Sequence, residues 1–577
     1  MVPLSADLPN DEHDDRARRV RPRPDPQFGE GRRLREEDGR WPGRRGVGQL
    51  RVRDHRVLPH PRRQGRRAAA WGDARWSGTE AHERDRHGRL GPRLLDGHVR
   101  QGWPGRAGRR CTAHAPDPEG RRGRQAQVTQ RLSNDEVIDR ALSALRSAGA
   151  RTAEVFLREA QSGTVETKDG EIEVVIARGE RGLGVRVLDG ERMGFAHSSD
   201  LAAAGIEACV EQSRRMSRIT EPDADLRIAS RALDVADLAI YHAGLERRAL
   251  ADRGAIALAV EKAARDADPR ITHFRKTSYL DAEVTTIIAT TTGARASYRE
   301  TTCGAMTSPV ATSNGERQIG YHGEGARRLE DLDPAAIGAR AAKRATDKLG
   351  AKPFATQKLP VVLDPWMAQS LLGAIAPLFS ADNVLKGRSL FANKVGSKVA
   401  NERVTIVDDA RRKGGLRSAP FDGEGTPTTT RTLVDKGVLR GYLTNMKTAN
   451  KMSTSSSGNA RRGSYASPSR IGPSNFYIQA GVDDPKTMVA RLDRALAVTS
   501  LLNLHTIDPV SGEFSLGATG TFLEKGAPVH PVQGITIAGN LTDLLSSVVS
   551  VGTDLVFGPS GLGSPTLLIS ELSIGGT

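Results

Sequence analysis

The sequence predicts an α+β protein in which helices are segregated from antiparallel strands, and three observations carry this prediction. Strand-patterned runs in the first half are joined at Asp169-Gly170 and Asp189-Gly190, dipeptides that favour the left-handed conformations of tight hairpins. Amphipathic helical stretches lie between groups of such runs instead of alternating with single strands. From residue 357 onward the chain reads as short strands broken by Gly-rich turns, the pattern of a closed or strongly curled barrel-like sheet that hides its edges.

The first 127 residues stand apart. They contain no Lys, Ile or Tyr, a single Asn (Asn10), a single Phe (Phe28), and four of the chain's five tryptophans: Trp41, Trp71, Trp76 and Trp103. The residue types missing are those with AT-rich codons, and the abundant ones (Arg, Gly, Pro) have GC-rich codons, as expected of GC-rich DNA read in a frame never selected as protein. A disordered basic tail and a nucleic-acid-binding arm are the competing readings, and all three predict no packed fold for 1–127. The segment holds 30 arginines against 18 acidic residues, a net +12, whereas residues 128–577 hold 55 basic and 51 acidic residues, a net +4. The strongly basic whole-chain charge of +16 therefore reports on the first segment, and the near-neutral remainder offers no basic stripe for nucleic acid. His82-Glu83-Arg84-Asp85-Arg86-His87 spells HExxxH, a string used by some zinc peptidases, but it sits among Arg and Gly with no apolar face to orient its imidazoles.

Ordered patterning begins after Val128. Ser133 and Glu136 form an S-x-x-E capping box, Val137, Ile138, Ala141, Leu142 and Leu145 follow at helical spacing, and Gly149 closes the helix. Strands are expected at 153–157, 163–167, 172–177, 184–187 and 192–197, then a helix over 200–218. Cys209 lies on the apolar face of that helix and reads as a small core residue. A helix over 245–266, strands between 271 and 298, a helix over 334–348 and a linker at 350–356 complete the first half. Cys303 has no general base near it in sequence, so a nucleophilic role lacks support. Beyond the linker, hairpins are expected about Asp435-Lys436-Gly437 and Lys525-Gly526. The expected organisation is 1–127 without packed fold, 128–350 as an α+β region and 351–577 as a β-rich region.

Three scattered cysteines, Cys111, Cys209 and Cys303, form no CxxC pair and fit a reducing, cytoplasmic location. The most apolar run, 541–557, is interrupted by Asp543, Ser546, Ser547, Gly552 and Asp554, so no membrane span is expected.

The second half also carries an ordered set of strings: Ala419-Pro420-Phe421-Asp422-Gly423-Glu424-Gly425-Thr426-Pro427, then Gly458-Asn459-Ala460-Arg461-Arg462-Gly463-Ser464-Tyr465, Ser474-Asn475-Phe476-Tyr477-Ile478, Ser511-Gly512-Glu513-Phe514-Ser515-Leu516-Gly517-Ala518 and Ile535-Thr536-Ile537-Ala538-Gly539-Asn540-Leu541. In this order, together with the run from Arg181 to Val187, they resemble the PmbA/TldD family over roughly residues 128–577. The resemblance implies a two-subunit zinc peptidase system, in which a TldD-type chain binds zinc through HExxxH on a helix after a strand and a later Cys, and a PmbA/TldE-type chain does not. Here the equivalent stretch, 371–378, contains neither His nor Glu, and 557–563 contains no Cys. The six histidines of the body, His197, His242, His273, His322, His505 and His530, are far apart in sequence. A catalytic zinc needs three protein ligands and an open position for water. The chain is therefore identified as the metal-free type, with no catalytic or metal-binding residue and no cofactor of its own, although 459–465 and 575–577 resemble the TldD type more closely.

By the same resemblance the expected partners are a zinc-bearing TldD-type subunit, a short or unfolded peptide and a second copy of this chain, with no nucleic acid and no membrane. The alternatives are a protein-binding regulator of the DNA gyrase modulator kind, and a peptidase with an atypical metal site. The candidate contact residues are Asp422, Glu424, Asn459, Arg461, Arg462 and Tyr465. Arg461 and Arg462 can take a peptide carboxylate bidentately, or form a solvated turn or subunit salt bridge. Asp422 and Glu424 read as an acid pair, or as turn formers that hold backbone N–H groups.

The abrupt change of composition leads us to expect that the natural chain starts at Val128, with GUG read as Met, leaving 450 residues. Intact-mass analysis and N-terminal sequencing of the natural protein should recover no peptide from 1–127, and recovery of one would refute the expectation.

Overall fold

The computed structural model describes residues 131–230, 235–245 and 248–576, so the readings of 1–127, the 82–87 string, Cys111 and the Val128 start lie outside the described residues. Helix α1 (Asn134–Ser147) opens at the expected capping box: the Ser133 hydroxyl accepts the Glu136 N–H at 3.2 Å, and the Glu136 carboxylate accepts the Ser133 N–H at 2.7 Å. Then come β1 (Thr152–Lys168), β2 (Glu171–Asp189), β3 (Arg192–Ser198), α2 (Ala203–Ile219), α3 (Leu250–Ala267), β4 (Ile271–Thr290), β5 (Arg295–Ser313), β6 (Glu316–Ile319), β7 (His322–Ala326) and α4 (Pro334–Thr346). The strands form one antiparallel half-barrel in the order β3-β2-β1-β4-β5-β6, with β7 also paired to β5.

The separate runs expected at 153–157 and 163–167 are one strand of 17 residues, and those at 172–177 and 184–187 one of 19. The intervening polar stretch does not break the ladder, because Glu159 still pairs with Arg181 on one side and Thr285 on the other. Backbone pairing needs no apolar side chain, so the change in hydropathy marks a change of cover, not a strand end. Strand alternation divides the two faces. Val155, Leu157, Leu183, Val185 and Val187 pack under α1 and α2, whereas Phe156 and Ile288 point the other way and meet Phe421 of the second half. Helices α3 and α4 cover the far end of the same sheet over Tyr279, Cys303 and Ala305.

The second half opens with β8 (Gln357–Leu363), α5 (Pro365–Ile375), α6 (Ala381–Leu385), β9 (Ile406–Asp409), β10 (Thr430–Asp435), β11 (Val438–Leu439) and α7 (Met446–Lys451). It continues with β12 (Ala460–Arg461), β13 (Arg470–Ile471), β14 (Phe476–Ile478), α8 (Pro485–Ala490), β15 (Arg494–Leu502), β16 (Glu513–Glu524) and β17 (Ala527–Asn540). It ends with α9 (Leu541–Ser546), β18 (Val548–Val551), β19 (Val556–Phe557), β20 (Leu562–Ser564) and β21 (Leu567–Gly575). Strands β17, β16, β15, β8 and β21 follow one another, and β21 pairs back to β17 at Ile537↔Ile574, which closes a five-stranded barrel. A second sheet runs β11-β10-β9-β14-β20-β19. The barrel-like α+β architecture is as predicted, with the correction that β8–β15 and β14–β20 are parallel pairs within the otherwise antiparallel sheets. Both expected hairpins turn through left-handed residues, Lys436 (φ 46°) with Gly437 (φ 79°) and Lys525 (φ 49°) with Gly526 (φ 72°). Leu371, Leu372 and Ile375 of α5 join Phe379, Phe391 and Phe476 in a core shared by barrel and second sheet.

Helix α2 sits directly on β3. A Cβ on Gly194 would lie 1.8 Å from the Ser213 carbonyl oxygen, and the Ser213 hydroxyl donates to the carbonyls of Val185 and Gly194 at 3.3 Å. Gly194→Ala should lower unfolding stability by about 1–3 kcal/mol through overpacking. Gly179→Ala, where nothing lies within 4 Å, should leave it unchanged or slightly raised. Urea titrations of the two variants check this.

Candidate functional site

Where the half-barrel meets the second half, charged groups gather in the interior. The register of β1 and β2 sets Glu154 opposite Arg186 on the face away from α1 and α2. Arg186 Nε and Nη2 donate to the two Glu154 oxygens at 3.0 and 2.5 Å, a bidentate pair, and Arg462 also donates to Glu154. Arg186 Nη1 reaches Glu424 at 3.4 Å. The Glu154 and Arg462 side chains are fully buried, and Arg186 is 5% exposed. Burial opposes the charge on Glu154, but Arg186 and then Arg462 hold its carboxyl below the ordinary range. Burial likewise opposes the charge on Arg186, but Glu154 and Glu424 outweigh it and raise the guanidinium above its ordinary value.

The two acids of the Asp-Gly-Glu-Gly string hold the chain around them. Asp422 accepts the N–H groups of Glu424 and Thr426 at 2.9 Å and of Ala460 at 3.0 Å. Glu424 accepts the Met446 N–H at 2.9 Å and the Ser469 hydroxyl at 2.6 Å. Burial, and then the Glu424 carboxylate, raise the pKa of Asp422. Asn459 lies one layer deeper, where it donates to Asp408 at 2.7 Å and accepts from the Ser457 hydroxyl at 2.6 Å. Asp408 also accepts the Ser474 N–H and hydroxyl at 2.6 Å, and burial raises its pKa. Tyr465 lies over β2, where a Cβ on Gly182 would fall 2.3 Å from its ring, and its edge meets His197 with ring centroids 6.2 Å apart.

Arg461 and Arg462 line a cavity of about 300 Å³ at the same seam, together with Arg158, Arg417, Tyr298 and Glu300. The structure thus brings five of the six sequence candidates, Asp422, Glu424, Arg461, Arg462 and Tyr465, to one seam and places Asn459 behind it. Glu154, Arg186 and Asp408 were missed. Their signal is a charge inside an apolar strand run, as in Ala-Glu-Val-Phe-Leu or Thr-Ile-Val-Asp, because a residue of that type is buried there only when paired.

A second cavity, of about 770 Å³, lies beside α5 and β20. Gly373, Ala376 and Pro377 line it from one side and Ser560 and Leu562 from the other, so the fold does bring 371–378 and 557–563 together. Asp382, held by Lys386 at 2.8 Å, is the sole carboxylate among its described lining residues, and neither His nor Cys is among them. These residues do not fit a zinc ion, which requires N, S or carboxylate ligands in a tetrahedral set. Among the described residues no group of three His, Cys, Asp or Glu could hold a metal. Cys209 and Cys303 are buried, which pushes their thiols up to about 11 and about 12. Among the described residues no helix is long and apolar enough to cross a membrane.

Comparison with known proteins matches three family models in chain order. They are described as PmbA/TldA metallopeptidase domain 1 (residues 153–217), central domain (245–349) and C-terminal domain (356–576). The chain is 28% identical to the metalloprotease PmbA of Escherichia coli O157:H7, over 78% of this chain and 97% of that protein. It is also 28% identical to a metalloprotease TldD homolog of Haemophilus influenzae, over 74% and 93%. The crystal structure of TldE from Thermococcus kodakarensis has the same fold, with a TM-score of 0.72 at 20% identity over 76% of this chain and all of that one.

Glu154→Gln would leave Arg186 and Arg462 without their carboxylate and should cost about 3–5 kcal/mol of stability at neutral pH. Because the folded pKa of Glu154 is depressed, its contribution is present above the unfolded value, about 4.3, and is lost as pH falls through the folded one. The difference between wild type and variant should therefore shrink on acidification below that value. Urea titrations of both proteins across that range measure it, and a pH-independent difference would contradict the assignment.

Proposed function

Since the chain belongs to the PmbA/TldD metallopeptidase family, we propose that it serves as the metal-free subunit of a two-subunit peptidase, paired with a zinc-bearing TldD-type chain. The observation that carries this reading is the cavity between α5 and β20, which keeps its walls but offers Gly373, Ala376, Pro377, Ser560 and Leu562 where a zinc peptidase needs ligands. A bound zinc would act as a Lewis acid and lower the pKa of a coordinated water, and the residues here can do neither. What the chain's own residues supply is a wall. Glu154, Arg186, Arg462 and Glu424 tie the half-barrel to the second half through buried ion pairs. A rigid subunit of this kind can complete an enclosed chamber that admits short or unfolded peptides and excludes folded proteins. The soluble assembly would work in the cytoplasm and could include a second copy of this chain.

The test is reconstitution. The chain purified alone should hold substoichiometric zinc by elemental analysis and should not cleave an unfolded peptide. Mixed with a TldD-type subunit it should co-elute, and cleavage should appear and be abolished by a chelator. Metal-dependent cleavage by the chain alone, with no partner detectable by mass spectrometry, would overturn the proposal in favour of an atypical metal site. Co-purification with a DNA gyrase, without any gain of cleavage on pairing, would favour the regulator alternative.

A further inference from the structure

The cavity at the seam gathers guanidinium N–H donors that the groups around it leave without acceptors. Of its lining arginines, Arg158 is paired with Glu180 at 3.2 Å, and Arg462 spends one nitrogen on Glu154. Arg461 Nε and Nη2 and Arg462 Nε and Nη1 are buried and find no hydrogen-bond acceptor among the described residues. Arg417, whose Cγ packs against Gly561, adds a further guanidinium that burial and the neighbouring Arg461 disfavour. The acids nearby act on these arginines through charge, Asp408 on Arg461 and Glu300 on Arg417, but none accepts a hydrogen bond from the unpartnered nitrogens. Glu300 is engaged by Arg327 at 3.0 Å, and Asp422 is saturated by three backbone N–H groups. Buried donors without acceptors cost free energy each, and neighbouring guanidinium groups repel one another. Side chains so arranged are compensated by an anion placed between them.

The rest of the lining narrows the class of anion. Phe156 lies under Arg462, with the guanidinium 4.6 Å from the ring centroid, and Tyr298 meets Phe421 edge-on with centroids 5.0 Å apart. Aromatic faces beside a guanidinium fork suit a planar carboxylate carried on an apolar stem better than a fully hydrated tetrahedral ion. A volume of about 300 Å³ is at the small end for a ligand site and takes one end of a molecule. We infer that this cavity binds the terminal carboxylate of a peptide, with Arg461 and Arg417 as its principal donors and Arg462 as a third. The site is separate from the α5–β20 cavity. The inference rests on the peptide reading only for the source of the carboxylate.

The experiment is calorimetric titration of the full chain with three probes: N-acetyl-alanyl-alanine, the same dipeptide as its C-terminal amide, and inorganic phosphate. The acid should bind at least tenfold more tightly than the amide, and phosphate should not displace it at equal concentration. Arg461→Gln and, separately, Arg417→Gln should each weaken the acid at least tenfold without changing affinity for the amide. The comparison of acid with amide uses the unmodified chain, so it stands even if a variant fails to fold. Equal affinity for acid and amide, no binding of the acid, preference for phosphate, or folded variants that bind the acid as wild type does would each overturn the inference. None of these measurements involves zinc or a partner subunit, so this inference and the paired-peptidase proposal can fail independently.

Discussion

The bidentate pair between Glu154 and Arg186, with Arg462 closing on the same carboxylate, is the constraint on which the arrangement of the two halves depends. It joins β1 to β2 across the sheet and joins both to the segment after β12, where Arg462 lies 308 residues along the chain from Glu154. A buried ion pair of this kind adds little net stability over a well-packed apolar alternative, because both ions must leave water. Its value is positional. Apolar surfaces can slide, whereas a carboxylate bound by two guanidinium groups accepts one register.

That register organises the layers around it. With Glu154 and Phe156 turned toward the second half, Val155 and Leu157 must turn toward α1 and α2, and the same parity carries across to β2 and β4. The half-barrel is therefore covered by helices on one face and by the second half on the other. The closed barrel has no open edge among its five strands, because β21 pairs back to β17. Between barrel and second sheet, α5 carries apolar residues into the shared core and presents Gly373 to the cavity beside β20.

Much of this was legible in the chain because local rules govern it. The capping box at Ser133, the left-handed turns at Asp169, Lys436 and Lys525, and the apolar face of α2 are decided by residues close in sequence. The long strands were divided at their polar middles because hydropathy reports the cover over a strand, not the backbone pairing that defines it. The parallel β8–β15 pair could not be read at all, since it joins strands separated by all the chain between Leu363 and Arg494. Candidate residues clustered in one string, Asn459 to Tyr465, were visible, whereas their partners Glu154 and Arg186 lay far upstream inside strands that read as ordinary core.

The sequence by itself determined the α+β class, the hairpins, the family resemblance and the absence of His and Glu from 371–378 and of Cys from 557–563. These are properties of residue type and short spacing. Only the tertiary structure decided which charges are paired. Asp422 became the anchor of a turn and Glu154 the counter-ion of two arginines, while Arg461 was left beside a cavity with buried donors to spare. The reason is physical: burial makes the energy of a charge depend on its nearest few ångströms, and that neighbourhood is assembled from strands that the sequence keeps hundreds of residues apart.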